Sequence, residues 1–286
     1  MTCYHPVEVN PPGQRAQKVA CGRCVGCRHD YAKSWAARAM HEAAFFSDNC
    51  FVTLTYDDEH LPSDGGLRKH DLQAFIKELR SYIHPARVSY LACGEYGENF
   101  GRPHYHLCLF GYDFSDKKLH TVRRGNRTYT SEILSGIWRK GFHEIGSLTY
   151  QSANYTARYV TKKIYGDQAS GWYQKINPVT GEIHDVSPEF MLVSTRPAIG
   201  KKWFQKFKPD IYPCGYVLVD GKKCPIPRYY KKLHQRGFAV EAKAVKARNF
   251  KQACSPKMMK NSTPRRLADR EIVKKAALSQ LKKEIR

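Results

Sequence analysis

Apolar residues recur at helical spacing most plainly between Lys69 and Ile83, where Leu72, Phe75, Ile76, Leu79 and Ile83 define one face. Residues 28–46 also read as a helix, with Tyr31, Trp35, Ala39 and Glu42 on one side and alanines favouring the helical state. Between them, Cys50 to Tyr56 (CFVTLTY) is rich in β-branched and aromatic residues and is bounded by Asp-Asn and Asp-Asp, which predicts a strand. Arg87–Glu95 and His104–Phe110 predict two more strands, joined as a hairpin by the Gly-rich stretch Tyr96–Pro103. A short helix over 130–139, a strand over 141–150 and a helix over Gln151–Ile164, with Ser152 as its N-cap, follow. Strands alternate with helices around a central hairpin, so the expected class is α+β, an antiparallel or mixed sheet with helices packed on it.

Past Gly166 the pattern weakens, because Gly, Pro, Asn and Asp punctuate residues 166–215. A small hairpin about Asp220-Gly221 and a charged helix over Arg265–Arg286 stand out beyond it. The expected organisation is a Cys-rich knuckle over 1–28, a core over 29–165, an extension packed on that core over 166–240 and a basic helical tail over 241–286. No run approaches the roughly 18 apolar residues of a membrane span, and Met1–Gln14 lacks the pattern of a signal peptide. A soluble intracellular protein is expected.

Composition sharpens this picture in one respect. Hydrophobic residues make up 42% of the 286, enough to bury a core and to exclude a wholly disordered chain. The net charge is +22, and it is lopsided: residues 201–286 hold 24 Lys+Arg against 6 Asp+Glu. A field of that kind suits a polyanionic partner bound with salt-sensitive affinity, against the plainer reading of a solvated basic face.

Of the ten cysteines, Cys3, Cys21, Cys24 and Cys27 crowd the N-terminus, and the others are scattered and read as small core residues. Four thiolates can close a tetrahedral Zn²⁺ site of structural kind. Free or redox thiols are the second reading and an iron–sulfur cluster the last, since the Cys-Pro finish of a ferredoxin motif is absent.

The segment Arg102-Pro103-His104-Tyr105-His106 carries the chemistry. On a strand, His104 and His106 project to one face, and a hairpin returns the Glu95 carboxylate towards them. Two imidazoles and a carboxylate can hold a divalent metal and leave positions open for substrate. With 12 His in the chain, about 0.5 His-x-His pairs arise by chance, so the pair needs this context. Tyr155 and Tyr159, four apart on the predicted helix, lie on one face; the similarly spaced Tyr212 and Tyr216 enclose Pro213 and Gly215, which argue against a helix there.

A phenol nucleophile, a metal and a basic surface together fit a phosphodiester substrate. Lys162 and Lys163, just after Tyr159, are candidates to help ionise a phenol. Candidate DNA contacts are Arg102 and the interleaved Arg228, Tyr229, Lys231 and Lys232, where aromatics can stack on bases and cations reach phosphates. No Walker-type phosphate loop occurs, so the sequence carries no visible ATPase motif.

These residues resemble the HUH endonucleases that initiate rolling-circle replication, most closely the initiators of gokushovirus-type single-stranded DNA bacteriophages (Microviridae). The resemblance covers the Cys-rich start, Phe51–Tyr56, Gly94–Gly97 leading to Gly101–His106, and Tyr155–Lys163. It implies a central antiparallel sheet flanked by helices, His104, His106 and Glu95 as ligands of Mg²⁺ or Mn²⁺, and Tyr155 and Tyr159 as paired nucleophiles. It also implies nicking of a single-stranded origin, a 5′-phosphotyrosine intermediate, a free 3′-hydroxyl extended by a host polymerase, and action in the bacterial cytoplasm. A non-catalytic zinc-containing nucleic-acid-binding protein and an HUH transposase or relaxase are the alternatives.

Overall fold

The computed structural model describes residues 3–13, 16–97, 101–123, 125–159, 171–176 and 181–285, with backbone alone for Tyr159, Ile176 and residues 281–285. In chain order come β1 (Val7–Val9), β2 (Gln17–Val19), α1 (Val25–Ala43), β3 (Asn49–Tyr56), α2 (Lys69–Tyr82), β4 (Ser89–Tyr96) and β5 (Pro103–Phe110). Next are β6 (Lys118–Arg123), β7 (Asn126–Thr130), α3 (Glu132–Trp138), β8 (Gly141–Ser147), α4 (Tyr150–Tyr159), β9 (Gln174–Ile176), β10 (Ile183–Asp185) and β11 (Phe190–Val193). The chain continues with α5 (Lys201–Cys214), β12 (Tyr216–Val219), β13 (Lys222–Pro225), α6 (Arg228–Gly237), α7 (Ala239–Ala253), α8 (Pro256–Lys260) and α9 (Pro264–Ile285). None of the described helices is long and apolar enough to cross a membrane.

The chain divides into two units, one of Met1–Ser34, Pro209–Tyr216 and Pro225–Arg286, the other of Trp35–Lys208 and Val217–Cys224. The second unit is built on a seven-stranded sheet in the order β11-β4-β5-β3-β8-β7-β6, with antiparallel neighbours throughout. The class is therefore α+β with an antiparallel sheet.

Strand pleating decides what each face carries. Along β3, Cys50, Val52, Leu54 and Tyr56 point to one side, where with Tyr105, Leu107 and Leu109 of β5 they meet Leu72, Phe75, Ile76 and Leu79 of α2 and Leu134 and Trp138 of α3. Tyr105 is fully buried there beside Leu107 and Leu109. Its hydroxyl bonds Tyr56 Oη at 2.8 Å and accepts from the Arg68 amide at 2.9 Å, so its polar tip is satisfied. On the opposite face, Leu91, Cys108 and Phe110 pack on Ala36, Ala39 and Ala43 of α1 and Ala153 of α4. Small residues on both helices let them lie close to the strands. At the start of β8, Gly141 has φ +126 and a Cβ there would sit 2.1 Å from the Asp57 amide, so only glycine can enter the sheet at this point.

Several expectations change. Of the face expected on α1, Ala39 and Glu42 are buried and Trp35 packs partly buried on the core, but Tyr31 is exposed, and the buried stripe is filled out by Ala32, Ala36 and Ala43. Thr149, not Ser152, caps α4: its hydroxyl accepts from the Ser152 amide at 3.1 Å while Ser152 Oγ accepts from the Thr149 amide at 2.9 Å. The stretch 166–215 holds the sheet-edge strand β11 and helix α5, which contains both Pro209 and Pro213. Tyr212 is thus helical despite Pro213, whereas Tyr216 opens β12. Of the scattered cysteines, Cys50, Cys93 and Cys108 are buried, but Cys214 and Cys254 are exposed. The hairpin about Asp220-Gly221 is present, both residues taking positive φ, 48° and 71°.

Candidate functional site

Register brings the polar residues of three strands onto the face that α4 covers. Glu95 of β4 lies directly opposite His104 of β5, and Cys93 opposite His106. Across the other edge of β5, Thr55 faces His104 and Thr53 faces His106. Because these positions share the parity of Leu91 and Cys108, their side chains leave the sheet on the α4 side.

Glu95 is the hub. Its Oε1 accepts from His106 Nε2 at 2.6 Å and from the Tyr155 hydroxyl at 3.2 Å. Both carboxylate and imidazole are buried, at 4% and 7% exposure. The other oxygen, Oε2, is also buried and has no hydrogen-bond partner among the described residues. An anionic oxygen withdrawn from water is costly unless a cation or donor meets it. Tyr155 also packs edge-on to the His106 ring, with centroids 5.0 Å apart, and Phe51 stacks on that ring at 5.7 Å.

Thr53 and Thr55 fix the two imidazoles by their far nitrogens. Thr53 Oγ1 lies 3.0 Å from His106 Nδ1, and Thr55 Oγ1 lies 2.8 Å from His104 Nδ1. A hydroxyl can donate or accept, so each threonine serves either tautomer and leaves Nε2 as the nitrogen turned to the site. His104 Nε2 lies against Gly97, where a Cβ would come within 2.8 Å of it. Burial, with the neighbouring His106 and Arg102, lowers the His104 pKa to about 4, so this imidazole is neutral at physiological pH and can act as a ligand.

Glu95, His104 and His106 are therefore neighbours on one face, with Glu95 and His106 in direct contact, rather than a closed cage. The donor types and the unpartnered Glu95 Oε2 suit a cation, but the three side chains do not converge as closely as ligands of one ion: among the described residues, the group of donors near enough to hold one is the cysteine cluster of the other unit. Arg102 donates to the Tyr56 carbonyl at 2.8 Å and pairs with Asp58, which ties the start of β5 to the end of β3. Tyr159 ends α4 one turn after Tyr155, with its side chain outside the described residues, as are Lys162 and Lys163. Arg228, Tyr229, Lys231 and Lys232 lie in the first turns of α6, in the other unit; Arg228 and the two lysines are exposed. Their neighbour Tyr230 is fully buried.

That other unit holds a second donor cluster. The sulfurs of Cys3, Cys21, Cys24 and Cys27 all lie within 4.8 Å of one another, a group that could hold a metal ion. Amides turn towards them: Tyr4 N to Cys24 Sγ, Cys21 N to Cys3 Sγ and Cys24 N to Cys21 Sγ, each 3.3 Å. The four thiols differ: against the opposing effect of burial, hydrogen bonds from backbone and neighbouring thiols lower Cys21 to about 7, whereas burial raises Cys3 and Cys27.

Thr53, Thr55 and Gly97 lie in the segments Phe51–Tyr56 and Gly94–Gly97 that carried the resemblance, but no role was assigned to them from sequence. The odd-numbered parity of the threonines on β3 was the available signal for their contact with the imidazoles. The contact of Gly97 depends on where the His104 ring comes to lie.

The geometry is that of a buried carboxylate shared by an imidazole and a tyrosine hydroxyl on an antiparallel sheet, and comparison with known proteins gives it a class. Residues 49–164, a span from β3 through α4, match the family model described as Replication-associated protein ORF2. The chain is 38% identical over 225 residues to Replication-associated protein VP4 of Bdellovibrio phage phiMH2K, covering 76% of this chain and 67% of that one. It is 38% identical over 236 residues to Replication-associated protein ORF2 of Spiroplasma virus 4, covering 78% and 69%. Against Replication-associated protein ORF4 of Chlamydia phage 1 it is 28% identical over 241 residues, 80% of this chain and 55% of that one. The chain belongs to the ORF2 family of replication-associated proteins of microvirus-type phages. No solved structure matches it.

Proposed function

We propose that the protein initiates rolling-circle replication by nicking and rejoining a single-stranded phage origin, using the HUH arrangement on β4, β5 and α4. The observation that carries this reading is the Glu95 carboxylate shared by His106 and the Tyr155 hydroxyl, in a chain whose relatives are replication-associated proteins.

Glu95, His104 and His106 would hold a divalent ion, Mg²⁺ or Mn²⁺. When bound, it withdraws charge from a non-bridging oxygen of the scissile phosphate. Glu95 Oε1 orients the Tyr155 phenol by accepting its hydrogen bond, and the sheet fixes that carboxylate through its pairing with β5. Attack forms the bond from Tyr Oη to phosphorus and breaks the bond from phosphorus to O3′. The phenol proton is lost and the 3′ oxygen leaves as a hydroxyl, so the protein stays on the 5′ phosphate. Lys162 and Lys163 are the cations assigned to help ionise the phenol, and Tyr159 is the second nucleophile, able to cut the regenerated origin.

Arg102 is assigned a supporting contact to DNA at the site, and Arg228, Tyr229, Lys231 and Lys232 contacts to single-stranded DNA outside it. The free 3′ end suits extension by a host polymerase behind a host helicase in the bacterial cytoplasm. The knuckle metal is read as Zn²⁺, because four thiolates complete a tetrahedral shell and leave no position for substrate.

The test is incubation of the full chain with origin-spanning single-stranded DNA and Mn²⁺, followed by a denaturing gel. A covalent adduct carrying the 3′-labelled fragment is expected. Its persistence in the Tyr155→Phe, Tyr159→Phe double variant would overturn the assignment.

A further inference from the structure

The C-terminal helix α9 has 7 Lys+Arg and 3 Asp+Glu between Pro264 and Ile285, yet one face of it is spoken for. Leu267 is buried in a cluster with Cys3, Tyr4 and Cys24, against which Cys21, Val25 and Cys27 also pack. The Arg270 guanidinium lies 6.0 Å from the centre of the Tyr4 ring. Glu271 accepts from His5 Nε2 at 2.7 Å, and Lys274 donates to His29 Nε2 at 3.3 Å. Positions 267, 270, 271 and 274 form one helical stripe.

Each of these partners is a knuckle cysteine or stands within two residues of one. Tyr4 and His5 follow Cys3, and His29 comes two after Cys27. Tyr4 is further tied by its amide to Cys24 Sγ. Hydrophobic burial alone gives this junction little: its buried members are Cys3, Tyr4, Cys24 and Leu267, and two of the four are thiols. Among the described side chains of α9, Leu267 is the one that is buried, while Ile272 and Val273 stand exposed. A patch so small holds its shape only if something cross-links its ligand-bearing loops, and a metal held by four thiolates does so.

We propose that the four-cysteine metal is a clasp for the C-terminal basic helix: the ion orders Tyr4, His5 and His29, and these hold α9 by its 267–270–271–274 stripe. Zinc content thereby sets where a net positive helix sits, and with it the phosphate-binding face the unit offers to DNA. The inference rests on the reading of the knuckle as a zinc site.

Hydrogen exchange of the full chain, measured with the purified protein's metal content and again after stripping by a strong zinc chelator, separates the two. The expected result is one Zn²⁺ per chain and, on stripping, exchange at least about tenfold faster across residues 264–280, with β3, β4 and β5 as protected as before. Zinc bound at one per chain with α9 exchange unchanged by its removal would overturn the clasp and leave the zinc site standing. A chain that binds no zinc would overturn both. Leu267→Ser provides a second route that spares the ligands: α9 should exchange faster with zinc still at one per chain, and unaltered protection there would count against the clasp.

Discussion

The Glu95–His106–Tyr155 cluster and the four-cysteine knuckle are both clusters of chemically active side chains, but they are assembled in opposite ways. The first draws on β4, β5 and α4, with β3 supplying the threonines; strand register places Glu95 and His106, and the helix brings Tyr155, over a core that includes Leu91, Cys108 and Ala153. The second takes three of its four sulfurs from the seven residues Cys21–Cys27 and has almost no apolar support beyond Tyr4, Val25 and Leu267. A sheet can hold polar groups in place without their ligand, because the packing that fixes them lies elsewhere. A knuckle cannot, so a metal bound there would contribute folding energy outright, on the order of 10 kcal/mol of apparent binding free energy in zinc-finger peptides.

The largest expected effect follows from that contrast. Stripping the knuckle metal should abolish the ordered β1–β2 ribbon and the cysteine loops while the seven-stranded sheet persists. Circular dichroism with exchange mapping would show this, and a sheet that melts together with the knuckle would erase the distinction. Next in size, His106→Ala and Glu95→Gln should lower metal-dependent nicking about 10²–10³-fold with the sheet intact, as read by adduct yield and thermal unfolding. Thr53→Val, which removes the partner of His106 Nδ1, should weaken divalent-metal affinity about 10–100-fold in a calorimetric titration. Gly97→Ala should cost about tenfold in nicking by displacing the His104 ring, and an unaltered rate would show that Nε2 need not lie where it does.

The smallest effect is on acid stability. His41 stacks on Trp203 with centroids 3.5 Å apart and donates to the Leu218 carbonyl. Burial lowers its pKa from 6.5 to about 4 in the folded chain. The unfolded chain therefore binds more protons between those values, and stability should fall as pH drops from 6.5 towards 4. His41→Gln should flatten part of that slope in a series of melting curves.

Much of the sheet site was legible because its residues also carry the local pattern. The apolar runs of β3, α2 and β5 placed the core, and the His-x-His spacing placed both imidazoles on one face. Glu95 came from the hairpin, whose register then set it opposite His104. The β6–β7 hairpin was not legible, because the two apolar residues of Lys118–Arg123, Leu119 and Val122, stand three apart and exposed rather than alternating on one face, and a register shift falls between Leu119 and Thr121. Helix α5 was hidden by Pro209 and Pro213, although Phe204, Phe207 and Ile211 follow helical spacing. For the knuckle, crowding of the cysteines near the start of the sequence sufficed for all four, Cys3, Cys21, Cys24 and Cys27. The docking of α9 involves residues more than two hundred positions apart, and no local pattern announces it.

The central claim is that a tyrosine of α4 attacks phosphorus beside Glu95, and the most direct measurement is peptide mapping of the protein–DNA adduct by mass spectrometry after nuclease digestion. The account predicts a nucleotide mass on Tyr155 or Tyr159, formed with Mn²⁺ and absent in the His106→Ala variant. A nucleotide on any other residue, or an adduct that forms equally well without divalent metal, would contradict it.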